Sequence, residues 1–174
     1  MIDRLPRIGI QTRVLLFFAT GLLLASFPAS GEERPSDAAA LAGLDSVKTV
    51  FLVNRKTAPA TAGYLKAIRA THESLAKQGV APTTVLVFLG KAVQFITTMP
   101  PAESATSEEK EALESIASTA GELKKLGVRM EVCSAATKRF GVDNASILTA
   151  MDLVGNGFIS LIGWQSQGYV PMTF

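Results

Sequence analysis

The sequence predicts a three-layer α/β protein, in which a mainly parallel five-stranded sheet carries helices on both faces. Two observations predict this class. Continuous apolar runs of strand length, such as residues 50–53 and 84–89, alternate along the chain with amphipathic helical stretches. Glycine or proline punctuates most of the boundaries. Because strands that alternate with helices are usually parallel and joined by right-handed crossovers, we expect helices on both faces of the sheet.

The first half of the folded region is expected to supply two strands and two long helices. The run at 50–53 suits a central strand buried on both faces. Apolar residues then recur at helical spacing up to Gly79, and Thr106 with the acids that follow it forms a capping pattern for the next helix. The elements predicted here are a short helix near 38–44, strand 47–54, helix 61–78, strand 84–89, a helical turn at 91–97 and a helix from 106 to about 126.

The second half is expected to supply three shorter strands. Val128, Met130 and Val132 alternate with the charged Arg129 and Glu131, which is the pattern of a strand. The elements predicted here are strand 128–132, a helix beginning just after residue 133, a turn at 142–144, a short helix at 147–148, strand 151–154, a helix from 158 to about 167 and strand 169–174.

The N-terminus has the layout of a secretory signal peptide, residues 1–31. Three arginines precede an almost wholly apolar stretch at 14–25, which is shorter than the about 20 residues that a membrane span needs. Small residues follow at 29–31, where cleavage would occur. An uncleaved membrane anchor is the alternative. The prediction is a periplasmic or secreted protein with no membrane attachment after cleavage.

The charge balance and the length of the chain after the leader restrict its possible partners and its number of domains. The chain has 17 Lys+Arg and 15 Asp+Glu, and three arginines and Asp3 lie in the leader, which leaves 14 of each sign. A neutral chain without a basic patch argues against nucleic acid and anionic membrane surfaces as partners. We expect a flexible tail at 32–45 and one domain at 46–174.

Cys133 is the only cysteine, so the chain has no internal disulfide. It lies where a predicted strand runs into a helix, and the carboxyl ends of parallel strands are where ligands and chemistry collect. A thiol there faces the positive end of a helix dipole, which favours the thiolate. Three interpretations remain open: a small buried hydrophobe, a thiol paired with another chain, or a reactive thiol.

Other candidate residues also suit ordinary structural roles. Asn54 and Lys91 follow strands that should end at the same sheet edge as Cys133, but both suit solvated positions as well. The segment 155–157 suits a tight turn better than an anion site. We expect His72 on a helix surface, and one histidine with one cysteine predicts no metal site and no cofactor. The candidate pocket residues around the thiol are Asn54, Lys91, Ser134, Arg139 and Asn156.

The run CSAATKRFGV at residues 133–142 resembles the cysteine segment of the DsrE/DsrF-like proteins, which include the TusD-type sulfur-relay subunits. In that segment a strand ends in Cys, and small residues precede a basic residue and Gly-Val. The matching positions are Cys133, Ala135, Ala136, Arg139, Gly141 and Val142. The resemblance covers about 47–174 and implies a flavodoxin-like fold, homo-oligomers and, in the relay members, a Cys that carries persulfide sulfur between partner proteins. Those members act in the cytoplasm, whereas this chain carries an export signal.

Three functions compete. The first is an exported carrier that holds persulfide sulfur on Cys133 and exchanges it with a donor or acceptor protein. The second is a non-catalytic module that binds a ligand or partner, in which Cys133 is structural. The third is a thiol redox protein, which would need a resolving thiol from elsewhere because the chain has no Cys-x-x-Cys pair. A carrier or binding protein fits better than a classical enzyme.

Residues 158–164 are apolar, and Phe158 and Trp164 suit the core or a subunit interface.

Overall fold

The computed structural model describes residues 36–100 and 106–173. The predicted signal peptide, residues 1–31, lies outside the described residues. Strands and helices alternate from residue 46 onward, as the sequence predicts. The elements are α1 Ala38–Leu41, β1 Ser46–Val53, α2 Ala58–Lys77, β2 Ala81–Phe88, α3 Ser107–Lys125, β3 Arg129–Cys133, α4 Ser134–Phe140, β4 Asp152–Val154, α5 Gly157–Ser166 and β5 Val170–Met172, with 3₁₀ turns at Gly90–Phe95 and Asn144–Ser146.

The five strands form one sheet in the order β4-β3-β2-β1-β5. Every neighbouring pair is parallel, which confirms the predicted parallel sheet. The central register sets Val50 of β1 beside Val85 of β2, and Phe88 of β2 beside Val132 of β3. The carboxyl ends of β2 and β3 therefore lie side by side, and the residues that follow these strands share one edge of the sheet.

The two faces of the sheet are covered by different helices. His72 of α2 contacts Thr84 of β2, so α2 lies on the face of Thr84. The register places Met130 on that same face, and because strand side chains alternate, Glu131 points to the other. Trp164 of α5 bonds to Glu131, so α5 covers the opposite face. The α3 helix contacts α2 and so lies on the same side of the sheet as α2. With α5 on the other side, the three predicted layers are confirmed.

The core follows from the apolar runs of the central strands. Its largest fully buried side chains come from both strands and helices, and each contributes about 1.5–3 kcal/mol through burial. They include Phe88, Leu86, Met130, Leu65, Ile68, Ile116 and Leu123.

The capping pattern predicted for α3 is also confirmed: the Thr106 hydroxyl accepts from the Glu109 N–H, and the Glu109 carboxylate accepts from the Thr106 N–H.

The expectation that His72 lies on a helix surface is wrong. The residue is 8% exposed, and its Nδ1 lies 3.0 Å from the hydroxyl of Thr84. Burial lowers the pKa of His72, and the nearby Glu73 carboxylate opposes this in part. The helix turns this position toward the start of β2, where a hydroxyl satisfies the ring nitrogen.

In the described part of the chain, no helix is both long and apolar enough to cross a bilayer.

Candidate functional site around Cys133

Cys133 is the last residue of β3 and immediately precedes α4. The residue is 3% exposed, so its thiol belongs to the edge of the core rather than to the open surface. The α4 helix that follows has only seven residues and ends at Gly141, whose φ of 67° is the left-handed conformation that suits glycine. The strand-to-helix joint predicted from the sequence is therefore present, with the thiol turned inward.

A cavity of about 410 Å³ lies beside this thiol. It is open on one side and is bounded by the residues that follow β2, by the α4 helix and by the start of α5, and its lining is mostly apolar. The small side chains of Ala135 and Ala136 leave this space open. The lining residues are Leu89, Gly90, Cys133, Ala135, Ala136, Arg139, Phe140, Asn156 and Phe158. This size is within the range of sites that bind small molecules.

The first residue of α5 packs closely against Leu89 and Cys133. Gly157 is buried, and a Cβ atom placed on it would lie 2.4 Å from Leu89 Cδ2 and 3.1 Å from Cys133 Cβ. The Asn156 side-chain oxygen caps α5 by accepting from the Phe158 N–H at 2.9 Å, which confirms the predicted turn. Only glycine allows the helix to begin this close to Cys133.

Glu131 forms a second polar centre on the same face of β3, two residues before Cys133. Its side chain is 4% exposed. Arg129 Nε donates to it at 2.6 Å, the Trp164 indole N–H donates at 3.0 Å, and the Ser160 hydroxyl donates as well. Burial alone would raise the pKa of Glu131, but the donors Ser160, Arg129 and Trp164 outweigh it, so the pKa lies below its usual value. Sequence reasoning missed this residue.

A second space, an open groove of about 440 Å³, lies between β4 and α5 and reaches Glu131. Asn156, in the turn before α5, lines both this groove and the cavity beside Cys133. Arg129 links this region to β4, since its Nη2 lies 3.6 Å from Asp152 Oδ2. The polar groups around Glu131 therefore join β3, β4 and α5.

The structure brings some of the candidate pocket residues together. Arg139 and Asn156 line the cavity with Cys133. Ser134 is adjacent, and its hydroxyl donates to the Gly155 carbonyl at 3.1 Å, which ties the start of α4 to the turn before α5. Asn54 and Lys91 are exposed and are not among the lining residues. Gly90, which precedes Lys91, does line the cavity.

The outer side of α5 is apolar and exposed. Phe158, Ile159 and Ile162 are 65%, 67% and 64% exposed. The helix contains no ionisable side chain. We call Phe158, Ile159 and Ile162 the apolar α5 surface. Within the described residues, no group of three or more His, Cys, Asp or Glu side chains could hold a metal ion.

The family model of the DsrE/DsrF-like proteins matches residues 48–174, which includes all five strands and the Cys133 segment. The chain belongs to the DsrE/DsrF-like family. A search of curated proteins finds no match.

Solved structures agree with this assignment at the level of the fold. MTH1491 of Methanobacterium thermoautotrophicum, described as a protein of unknown function, is 16% identical with a TM-score of 0.58. The ychN protein of E. coli is 17% identical with a TM-score of 0.50. Each comparison covers 74% of this chain and 99% of the other. The shared fold thus extends over nearly the full length of both neighbours.

Proposed function

We propose that this DsrE/DsrF-like protein binds or relays sulfane sulfur as a persulfide on Cys133. The observation that supports this most is the position of Cys133 on a small, largely apolar cavity at the carboxyl edge of the sheet. The family membership supports a role of the sulfur-relay type. The finer assignment, to a TusD-type relay with a donor and an acceptor partner, is part of the proposal.

The chemistry is thiol exchange. The Cys133 thiolate attacks the terminal sulfur of a donor persulfide, R–S–SH. The new S–S bond to Cys133 forms as the donor's S–S bond breaks, and the donor leaves as a thiol with the proton. An acceptor thiolate then attacks the terminal sulfur, and Cys133 leaves as the thiolate. Each transfer moves one sulfur atom without net oxidation.

A second function is supported by the burial of Cys133. A residue that is 3% exposed is typical of a structural cysteine, and free cysteine is among the most buried residue types. In that case the protein is a non-catalytic module that binds a ligand or a partner at the same cavity. Access to the native thiol separates the two functions.

The test is the intact mass of the purified protein after exposure to inorganic polysulfide. The carrier proposal predicts an adduct of one sulfur atom that a reductant removes, and Cys133→Ser should lose the adduct while keeping the native far-UV circular dichroism. The structural alternative predicts no adduct and a thiol that is alkylated only after unfolding. That second result would overturn the carrier proposal.

Two further proposals concern where the protein acts and with what. We propose export, on the basis of the basic, apolar and small-residue order of residues 1–31. We also propose a homo-oligomer that buries the apolar α5 surface, because three of its side chains are about two-thirds exposed on a helix without charges. Burying such a surface between copies would remove it from water.

A further inference from the structure

A sulfur carrier requires a thiol that a donor reaches, but the structure shows Cys133 at 3% exposure. Part of its cover is α5, whose first residue, Gly157, packs against the Cys133 Cβ. The approach to the sulfur is the pocket that Cys133 lines, and Asn156 and Phe158 at the start of α5 form part of its wall, so movement of this helix widens the approach. What holds α5 in place therefore decides how accessible the thiol is. This inference deepens the proposed function and rests on it for the need for access.

One stripe of α5 faces one stripe of β3. Gly157, Ser160 and Trp164 follow one another at helical spacing, so they share the side of α5 that faces the sheet. Glu131 and Cys133 are two residues apart on β3, so they share a face of the strand. Gly157 meets Cys133, while Ser160 and Trp164 both donate to Glu131.

The carboxylate of Glu131 is the main polar attachment of α5 to the sheet. Within α5 only Gly157 is buried, and the opposite side of the helix is the exposed apolar α5 surface. Arg129 holds the other carboxylate oxygen from β3 itself, at 2.6 Å, and thereby fixes the direction of the group. Hydrogen bonds to a buried, charged acceptor are the strong ones, and an acceptor left without its donors is costly.

We propose that Glu131 is a positioning residue that fixes α5 over Cys133 and so sets the rate at which the thiol is reached. The reacting atoms do not touch Glu131. It acts through Ser160 and Trp164, whose release allows the start of α5, with Gly157, to move away from Cys133. Local opening of one helix requires less free energy than unfolding of the whole domain.

The test is the rate of alkylation of Cys133 by N-ethylmaleimide in the native protein. Glu131→Gln keeps the size of the side chain but replaces one acceptor oxygen by a donor. Whichever way the amide is turned, its NH2 group faces a donor: Arg129 in one orientation, Ser160 and Trp164 in the other. Glu122→Gln is the matched control, because Glu122 pairs with Arg69 at a half-exposed site between α3 and α2. Ser160→Ala is a second variant that leaves the sheet unchanged, and Ser166→Ala, at the exposed end of α5, is its control.

The rates are compared at one protein concentration and at several urea concentrations below the unfolding transition. We expect alkylation about tenfold faster or more in Glu131→Gln, several-fold faster in Ser160→Ala, and within twofold of the parent in both controls. We also expect the rates to depend weakly on urea, because opening one helix exposes little surface. Rates that follow the global unfolding constant with its full urea dependence, or an unchanged rate in both test variants, would overturn the proposal.

This experiment is independent of whether sulfur is carried. Alkylation reports access to Cys133, whereas the mass of the polysulfide-treated protein reports the persulfide. If the variants accelerate alkylation but no sulfur adduct forms in any of them, the positioning role stands and the carrier proposal fails. If the adduct forms and the variants do not alter alkylation, the carrier proposal stands and the positioning role fails.

Discussion

Gly157→Ala is predicted to destabilise the protein, although alanine is the better helix former. The added Cβ would lie 2.4 Å from Leu89 Cδ2, 3.0 Å from Leu89 Cγ and 3.1 Å from Cys133 Cβ. Carbon atoms prefer separations of about 3.5–4.0 Å. The Leu89 methyl group can rotate away, but the Cγ of Leu89 and the Cβ of Cys133 lie close to their own backbones. The start of α5 therefore has to move outward.

The magnitude follows from two opposing contributions. Overpacking of this kind costs about 1–3 kcal/mol, and the helix preference of alanine returns up to about 1 kcal/mol. We expect a net loss of about 1–2 kcal/mol in the free energy of unfolding. With a urea dependence of about 1–3 kcal/mol per molar, the midpoint of unfolding should fall by about 0.3–2 M.

The same helix supplies the control. A Cβ on Gly163 would meet no atom within 4 Å. Gly163→Ala should therefore stabilise the protein by about 0.5–1 kcal/mol, since only the helix preference acts. The assay is urea unfolding of both variants by circular dichroism, in parallel with the parent. Midpoints that shift in the same direction in both variants would refute the packing argument for Gly157.

Three further predictions follow from other features. Burial lowers the pKa of His72 below its unfolded value of about 6.5, so the free energy of unfolding should decrease as pH falls through about 6.5. In urea titrations between about pH 7 and pH 5, His72→Gln should reduce this pH dependence, and an unchanged pH dependence would count against a buried, neutral His72. Ile162→Lys should convert an oligomer into a monomer by light scattering, while Leu126→Lys, at an exposed leucine beyond α3, should not; a parent that is already monomeric in the micromolar range removes the claim. N-terminal sequencing of protein from the producing cell should begin near Glu32, and a start at Met1 in the membrane fraction would indicate an anchor.

The sequence predicts most of the architecture because local patterns determine it. Continuous apolar runs identify β1 and β2 as central strands, and the capping pattern at Thr106 places the start of α3 at the correct residue. The position of Cys133 at the end of β3 also follows from alternation within one strand. Each of these inferences needs only the residues of a single element.

Glu131 and His72 could not be placed in the same way. Their partners are Trp164, 33 positions along the chain, and Thr84, on the strand after the helix. The pattern of β3 makes Glu131 a solvated position, because alternation assigns one face to water. The signal lies in the fold class instead, since a central strand covered on both faces leaves no solvated side for a carboxylate.

The same limit applies to the edge of the cavity. The sequence assigns Asn54, Lys91 and Arg139 equally to the carboxyl edge of the sheet. Of the three, only Arg139 lines the cavity, because α4 follows Cys133 directly. Asn54 follows β1, and Lys91 is the exposed residue of a 3₁₀ turn that is otherwise partly buried. Short connections of this kind are decided by where the neighbouring elements pack, and no local pattern encodes that.

The strand order has a consequence for how the protein is made. The last strand, β5, pairs with the first, β1, and α5 crosses the sheet to reach it. Residues 157–172 are synthesised after Cys133 and Glu131, so a chain that has not yet reached them lacks the cover that α5 gives both residues. A thiol without that cover is more accessible to oxidants than the thiol of the finished domain. A polypeptide that ended before residue 157 would keep that exposure permanently, together with one bare face of β1, β2 and β3. The cover of the thiol thus depends on a segment, residues 157–172, that follows the thiol in the chain.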